Sequence, residues 1–148
     1  MNLTDIKKYL LHHFKSEADL ISAIELISYN FTQDRDKISK YVNDERLVSA
    51  YTYFYLSTNI PKLASAFNYI KKDFSHFENF EIVDIGSGPG TFILGFLEHL
   101  PNNKYFAVEN SELMRKQGGQ LVSGFYPKAD VTFASKIKDI PKKTTKRF

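Results

Sequence analysis

Cysteine is absent from the 148 residues of this chain. Without thiols there can be no disulfide, no thiolate-bound zinc or iron–sulfur centre, and no cysteine nucleophile. This composition fits a reducing compartment, and we expect a cytoplasmic protein. His12 and His13 are adjacent in sequence and point in different directions on a helix, so we predict no metal site.

Long apolar runs are also missing, and no segment approaches the length of a transmembrane helix. The first five residues lack the basic and apolar regions of a signal peptide, so we expect no membrane partner. The net charge is +3, from 20 basic and 17 acidic residues, which is too small to indicate nucleic acid by itself. An apolar fraction of 43% is enough to build a core.

Glycine is scarce, but three of the seven glycines stand at alternate positions, 86, 88 and 90. They follow an apolar run with one acid, Ile82-Val83-Asp84-Ile85, and precede an apolar segment with helical spacing. A buried strand that enters a glycine turn and then a helix brings the backbone very close to a ligand. The stretch therefore predicts a binding turn.

A second apolar run, at positions 105–108, ends at Glu109. A carboxylate at the end of the next strand can accept hydrogen bonds from both ribose hydroxyls of a nucleoside. The two signals together predict a nucleoside-containing cofactor. Two simpler interpretations stay open: Glu109 is an ordinary solvated loop carboxylate, or Asp84 only caps the turn.

The turn does not follow the dinucleotide pattern G-x-G-x-x-G, because Thr91 occupies the sixth position. Pro89 also removes one of the backbone N–H groups that a pyrophosphate would bind. The pattern instead resembles that of class I S-adenosylmethionine-dependent methyltransferases, and the resemblance implies a cofactor that has no phosphate. Asp84 is a candidate anchor for the cationic methionyl end of that cofactor, so the residues agree with a preference for it over NAD.

Helical spacing dominates the region before the turn. Thr4 or Asp5 can cap a first helix, residues 16–19 open a second with Leu20, Ile21, Ile24 and Ile27 inward, and residues 30–36 form a polar loop. A short third helical segment is expected near residues 37–42. Asp44 can cap the next helix, which runs to about Leu56, and Pro61 suits the first turn of another.

From residue 81 the pattern predicts β-α-β-α-β. The strands are expected at 81–85, 104–108 and 129–134, and the helices at 90–100 and from a Ser111 cap, with Gly118-Gly119 interrupting the second. We predict an α/β fold: a helical N-terminal region at 1–78, a partial Rossmann-like domain at 79–140 and a basic tail at 141–148. Aromatic residues near Tyr51 are interpreted chiefly as core.

Only 39 residues follow Glu109, whereas a doubly wound sheet has roughly six strands. We therefore expect that the later half of the sheet is missing and that the chain is a truncated form. The first strand would be left with an unpaired edge, which predicts self-association through that edge.

The glycine turn, with Asp84 before it and Glu109 after it, resembles that of class I S-adenosylmethionine-dependent methyltransferases. The resemblance implies that S-adenosyl-L-methionine is the cofactor. It also implies a cofactor-binding set, to which we add the neighbouring Ser87 and Asn110: Asp84, Gly86, Ser87, Gly88, Gly90, Glu109 and Asn110. It identifies no catalytic residue.

Residues 46–121 further resemble the methyltransferase-like family of the bacterial and mitochondrial small ribosomal subunit. The matching segments are Ser49-Ala50-Tyr51, Asn59-Ile60-Pro61-Lys62-Leu63, the glycine turn, and Val108-Glu109-Asn110-Ser111 with Met114 and Gly118. The resemblance implies ribosomal RNA or the small subunit as partner, and we place Tyr51 over the cofactor pocket. Two alternatives stay open: a ribosome-assembly or RNA-binding factor without catalysis, and a remnant of a longer methyltransferase.

Overall fold

The computed structural model describes residues 3–33, 42–70, 77 and 79–141. In this part of the chain three strands alternate with helices after a helical N-terminal region. The elements are α1 (Leu3–Leu10), α2 (Glu17–Gln33), α3 (Glu45–Ile70), β1 (Glu81–Ile85), α4 (Thr91–Leu97), β2 (Lys104–Val108), α5 (Glu112–Phe125) and β3 (Asp130–Ala134). Short 3-10 turns cover Leu11–His13 and Ile137–Asp139.

The three strands form one parallel sheet in the order β1-β2-β3. Val83 of β1 lies beside Phe106 of β2, which lies beside Thr132 of β3. The predicted bounds of β1 and β2 are confirmed, and β3 begins one residue later than expected. The mixed α/β class predicted from the pattern is confirmed as well.

Two predicted helix caps are confirmed. The Asp44 carboxylate accepts hydrogen bonds from the backbone N–H groups of Arg46 and Leu47, at 2.9 and 3.1 Å. The Ser111 hydroxyl accepts from the N–H of Met114 at 3.3 Å. Each side chain satisfies N–H groups that have no partner in the first turn of a helix.

The prediction of a helix break before Pro61 is wrong, because α3 runs without interruption from Glu45 to Ile70. Proline lacks the N–H that would bind the Ser57 carbonyl, and this costs helix stability. Packing offsets that loss. Ile60 and Phe67 are buried on either side of the proline, and the Phe67 ring stacks on His99 with ring centroids 4.3 Å apart.

Other helix ends also differ from expectation. Helix α1 already begins at Leu3, so Thr4 and Asp5 lie inside it and do not cap it. Helix α2 continues through residues 30–33, where a loop was expected, and Ile21 is 52% exposed while Ala23 is buried instead. Residues 34–41, with most of the expected third helical segment, lie outside the described residues; Val42 lies in a turn.

The C-terminal half of the fold shows two more differences. Helix α4 ends at Leu97, three residues early, and α5 passes through Gly118-Gly119 to Phe125. The basic tail from residue 142 onward is outside the described residues.

One hydrophobic cluster joins the N-terminal helices to the helices that flank the sheet. Its buried members come from α1, α3, α4 and α5: Ile6, Leu10, Leu56, Ile60, Leu94, Leu121 and Val122. A second cluster lies between the sheet and α4 and includes Ile93, Leu97, Tyr105 and Ala107. The N-terminal helices therefore pack onto the same core that supports the glycine turn.

The first strand is an edge strand of the described sheet, and its apolar side chains are unusually exposed. The Val83 side chain is 45% and Ile85 is 69% exposed, while Ile82 packs on the inner face. The Phe80 carbonyl accepts from Lys104 N at 3.0 Å, and Gly86 N donates to the Val108 carbonyl at 2.8 Å. Backbone groups alternate along a strand, so Val83 and Ile85 direct theirs to the open edge.

An open apolar edge is a template for pairing with another chain, so we expect concentration-dependent self-association through β1. Val83→Pro removes an edge N–H without touching a bond to β2, and it should shift the protein to monomer. Val83→Thr, which keeps the N–H, is the matched control. Sedimentation velocity of the three proteins measures the effect; association that persists in Val83→Pro would exclude the β1 edge.

Candidate functional site

The glycine turn joins β1 to α4, and its backbone conformation requires glycine. Gly86, Gly88 and Gly90 have φ values of 73°, 54° and 77°, in the left-handed region that side chains disfavour. The N–H groups of Gly86 and Ser87 both donate to the Val108 carbonyl, at 2.8 and 3.1 Å. The turn is thus fastened to the end of β2, and Ser87 and Gly88 are buried within it.

Glu109 follows β2 and binds two segments of backbone at once. Its Oε2 accepts from Gly88 N at 3.0 Å, and its Oε1 accepts from Ser111 N at 2.8 Å. The side chain is half-buried. The interpretation of Glu109 as a solvated carboxylate with little part in folding is wrong, because this carboxylate links the glycine turn to the start of α5.

Asp84 points to the inner face of the sheet, on the same side as Ile82. It is half-buried, and its Oδ2 is fully enclosed without a hydrogen-bond partner. Burial raises the pKa of this carboxyl above its ordinary value of 3.8. A charged oxygen enclosed without a partner is costly, so this strand carries an unfavourable residue at an inward position.

Tyr51 on α3 covers the turn. Its ring lies 3.5 Å from the position that a Cβ on Gly88 would occupy. Burial, with smaller contributions from Tyr55 and Glu109, raises the pKa of the Tyr51 hydroxyl to about 12. The structure therefore brings Tyr51 and Glu109 together at Gly88.

Asn110 lies at the edge of this arrangement. It is exposed, and its backbone carbonyl accepts from Arg115 Nη1 at 2.7 Å. The same nitrogen donates to the Glu109 carbonyl at 2.6 Å. Arg115, which the sequence did not single out, thereby holds the loop after β2 in place.

Gly118 is the second residue whose role sequence reasoning missed. A Cβ at this position would lie 2.7 Å from the Pro89 carbonyl oxygen and 2.6 Å from the Phe133 ring. The absence of a side chain lets α5 approach the glycine turn closely. The glycine pair within a helical pattern was the only sequence signal for this close approach. Local helix propensity predicts a break in the helix at such a pair.

The described ranges contain neither a candidate metal site nor a membrane-spanning helix. No group of three or more His, Asp and Glu side chains there could hold a metal ion. No helix in those ranges has the length and apolar character needed to cross a membrane.

Comparisons with known proteins found no matching protein-family model, and no curated protein or solved structure similar to this chain.

The two neighbouring glycines of α5 make a matched pair for testing the close approach of α5 to the turn. We expect Gly118→Ala to destabilise the protein by about 1–3 kcal/mol, because backbone oxygen and a ring block the methyl group. A methyl group on Gly119 would have nothing within 4 Å, so Gly119→Ala should be neutral or stabilise through helix propensity. Chemical denaturation measures both; equal effects would contradict the contact.

Removing the Glu109 carboxylate should destabilise the protein as well. Glu109→Ala leaves the N–H groups of Gly88 and Ser111 without acceptors, at a cost of about 1–3 kcal/mol. Glu25→Ala on the exposed side of α2 is the control, and its unfolding free energy should change by less than about 0.5 kcal/mol. If the Glu109 and Glu25 variants unfold alike in urea, Glu109 does not hold the turn.

Proposed function

We propose that this protein binds S-adenosyl-L-methionine at the glycine turn and is methyltransferase-like. Support comes from a parallel strand, a turn with three left-handed glycines and a helix, followed by a strand that ends in Glu109. The sheet order agrees with the first half of a doubly wound, Rossmann-like fold. In such sheets ligands bind at the carboxyl ends of the strands, where this turn lies.

Asp84 is the single observation that carries the proposal. Val83 and Ile85 are exposed on the outer face of β1, while the acidic side chain between them points inward without a partner for Oδ2. This arrangement reverses the usual pattern of a half-buried strand, and local violations of that kind are typical of functional sites. A cationic ligand group, such as the ammonium of the methionyl end, would supply the missing partner.

Glu109 would hold the ribose. Each carboxylate oxygen accepts one backbone N–H in the ligand-free protein, and each keeps a further lone pair. Two ribose hydroxyls can therefore donate to the carboxylate while Gly88 and Ser111 remain bound. Tyr51, packed beside Gly88, would close over the nucleoside.

In a methyl transfer, the acceptor's lone pair attacks the methyl carbon in line with the carbon–sulfur bond. The bonding pair leaves with the sulfur, which becomes a neutral thioether. The protein's contribution to such a step is to position and orient the reactants. The family resemblance makes ribosomal RNA, or the small subunit, the proposed acceptor.

One observation favours binding without catalysis as a second candidate. Tyr51 packs against Gly88, and with a pKa of about 12 its hydroxyl stays protonated at neutral pH. Asp84 and Glu109 are both assigned to the cofactor. A non-catalytic RNA-binding or ribosome-assembly role would need no proton acceptor at the turn.

We expect S-adenosylmethionine and S-adenosylhomocysteine to bind more tightly than NAD. Pro89 removes a backbone N–H from the turn, and NAD needs such N–H groups to bind its pyrophosphate. S-adenosylmethionine and S-adenosylhomocysteine contain no pyrophosphate and do not need them. Titration calorimetry with the three ligands on one protein preparation decides the order. Equal or tighter NAD binding would overturn the assignment.

Asp84→Asn should weaken S-adenosylmethionine binding about tenfold, by removing one charge-assisted bond worth roughly 1.5 kcal/mol. It should also stabilise the ligand-free protein. The native pKa of Asp84 lies above 3.8, so the folded state holds the proton longer, and ionisation costs stability as the pH rises through that pKa. Asp84→Asn should thus leave the free energy of unfolding unchanged at pH 3 and increase it at pH 7.

Titration calorimetry tests the predicted loss of affinity, and thermal unfolding of the same samples at the two pH values tests the predicted gain of stability. The control is Asp130→Asn, which removes an exposed charge at the start of β3 and should change neither quantity. Unchanged cofactor affinity in a folded Asp84→Asn protein would remove Asp84 from the binding site.

A further inference from the structure

A cavity lies away from the glycine turn, between α1, the Leu11–His13 turn, the start of α3 and one side of α5. Its volume is about 470 Å³, within the range of small-molecule sites. Helix α5 contributes Leu113, Lys116, Gln117 and Gln120, which share one side by helical spacing. Gly118 contacts the glycine turn instead, so the two sites lie on different sides of α5.

The charged side chains in the cavity wall are mostly basic. Lys8, His12, His13 and Lys116 line it, against a single carboxylate, Glu45. Glu45 is already engaged with Lys116 at 2.9 Å. Among the described residues of the wall, no second acidic side chain balances Lys8 and the two imidazoles.

The two imidazoles are in contact, with ring centroids 3.9 Å apart. His12 Nδ1 lies 2.5 Å from the Tyr9 carbonyl, and since a carbonyl only accepts, this nitrogen carries the hydrogen. Nε2 of His12 is therefore a hydrogen-bond donor only when the ring is protonated. Two protonated rings at this distance repel each other, and an anion bound to both would offset that repulsion.

We propose that this cleft binds a phosphate group, with Lys8, His12, His13 and Lys116 as its cationic donors. Phosphate offers several acceptor oxygens, which four donors from three elements can share. The ligand is either a free nucleotide or the backbone of a nucleic acid. The site is independent of the proposed cofactor site, so either assignment can fail without the other.

Binding should strengthen as the pH falls from 8 to 6. Burial lowers the pKa of His13 below its ordinary value. The charges of His12 and Lys116 act in the same direction, and Glu45 on α3 opposes them. Lys8 and Tyr9 complete the charged and titratable lining from α1. A bound dianion offsets the unfavourable effect of His12 and Lys116, so protonation and anion binding reinforce each other.

The test is a titration of the full chain with sulfate, which stays a dianion between pH 6 and 8. NMR monitors the titration through the ring C–H signals of the four histidines. We expect saturable shifts of His12 and His13, with His99 unmoved, and an affinity about tenfold higher at pH 6 than at pH 8. The charge-matched control for Lys8→Gln/Lys116→Gln is Lys128→Gln/Lys138→Gln, because these two exposed lysines lie outside the cavity.

The first double variant should lose about tenfold in sulfate affinity and the control less than twofold. A mononucleotide and a short uridine oligomer then distinguish the two sources: tighter binding of the oligomer at this site identifies a nucleic-acid backbone. Shifts that do not saturate, that involve His99 equally, or that survive the Lys8/Lys116 variant would mean an adventitious ion only and overturn the proposal.

Discussion

The hydrogen bonds that Glu109 accepts from Gly88 and Ser111 are the constraint on which this structure depends. They join the turn after β1 to the loop after β2, at the edge of the sheet where both strands end. The Val108 carbonyl reinforces the junction by accepting from two N–H groups of the same turn. With the turn fixed in this way, α4 and α5 begin at defined positions, and Gly118 can approach Pro89.

The same junction would allow the Glu109 carboxylate to serve both folding and the proposed binding of a cofactor. A carboxylate accepts several hydrogen bonds, so the backbone does not exhaust its capacity. The ligand-free protein thereby holds Glu109 in one orientation, and a ribose would meet a carboxylate that needs no reordering. Asp84 differs, because its buried Oδ2 has no hydrogen-bond partner. The Glu109 carboxylate thus stabilises the fold, whereas the Asp84 carboxylate destabilises it.

Local signals predicted the strands well. Apolar runs closed by glycine or by an acid predicted β1 and β2 to the residue, and hydroxyl and carboxylate caps predicted the starts of α3 and α5. These features depend on neighbours in sequence. The placing of Tyr51 beside Gly88 and Glu109 was inferred from a family resemblance, since the residues of α3 lie far from the turn along the chain.

What the sequence did not predict depends on contacts distant in sequence. Proline and glycine are poor helix residues, yet α3 passes through Pro61 and α5 through Gly118, because packing against α4 and the turn outweighs local propensity. The backbone bonds of Glu109 were missed for the same reason. From the sequence alone, an acid at the end of a strand is interpreted as solvated. In the folded protein the Gly88 N–H lies 3.0 Å from the Glu109 carboxylate.

The most direct test of a cofactor site at this junction is an amide NMR titration of the full chain with S-adenosylhomocysteine. The account predicts that the largest shifts fall on Gly86, Gly88, Glu109 and Ser111, whose N–H groups line the turn and the loop after β2. The N–H of Ile27 in α2, distant in sequence and outside the site, should not move. Binding with shifts confined to other parts of the chain, or no binding at all, would contradict the account.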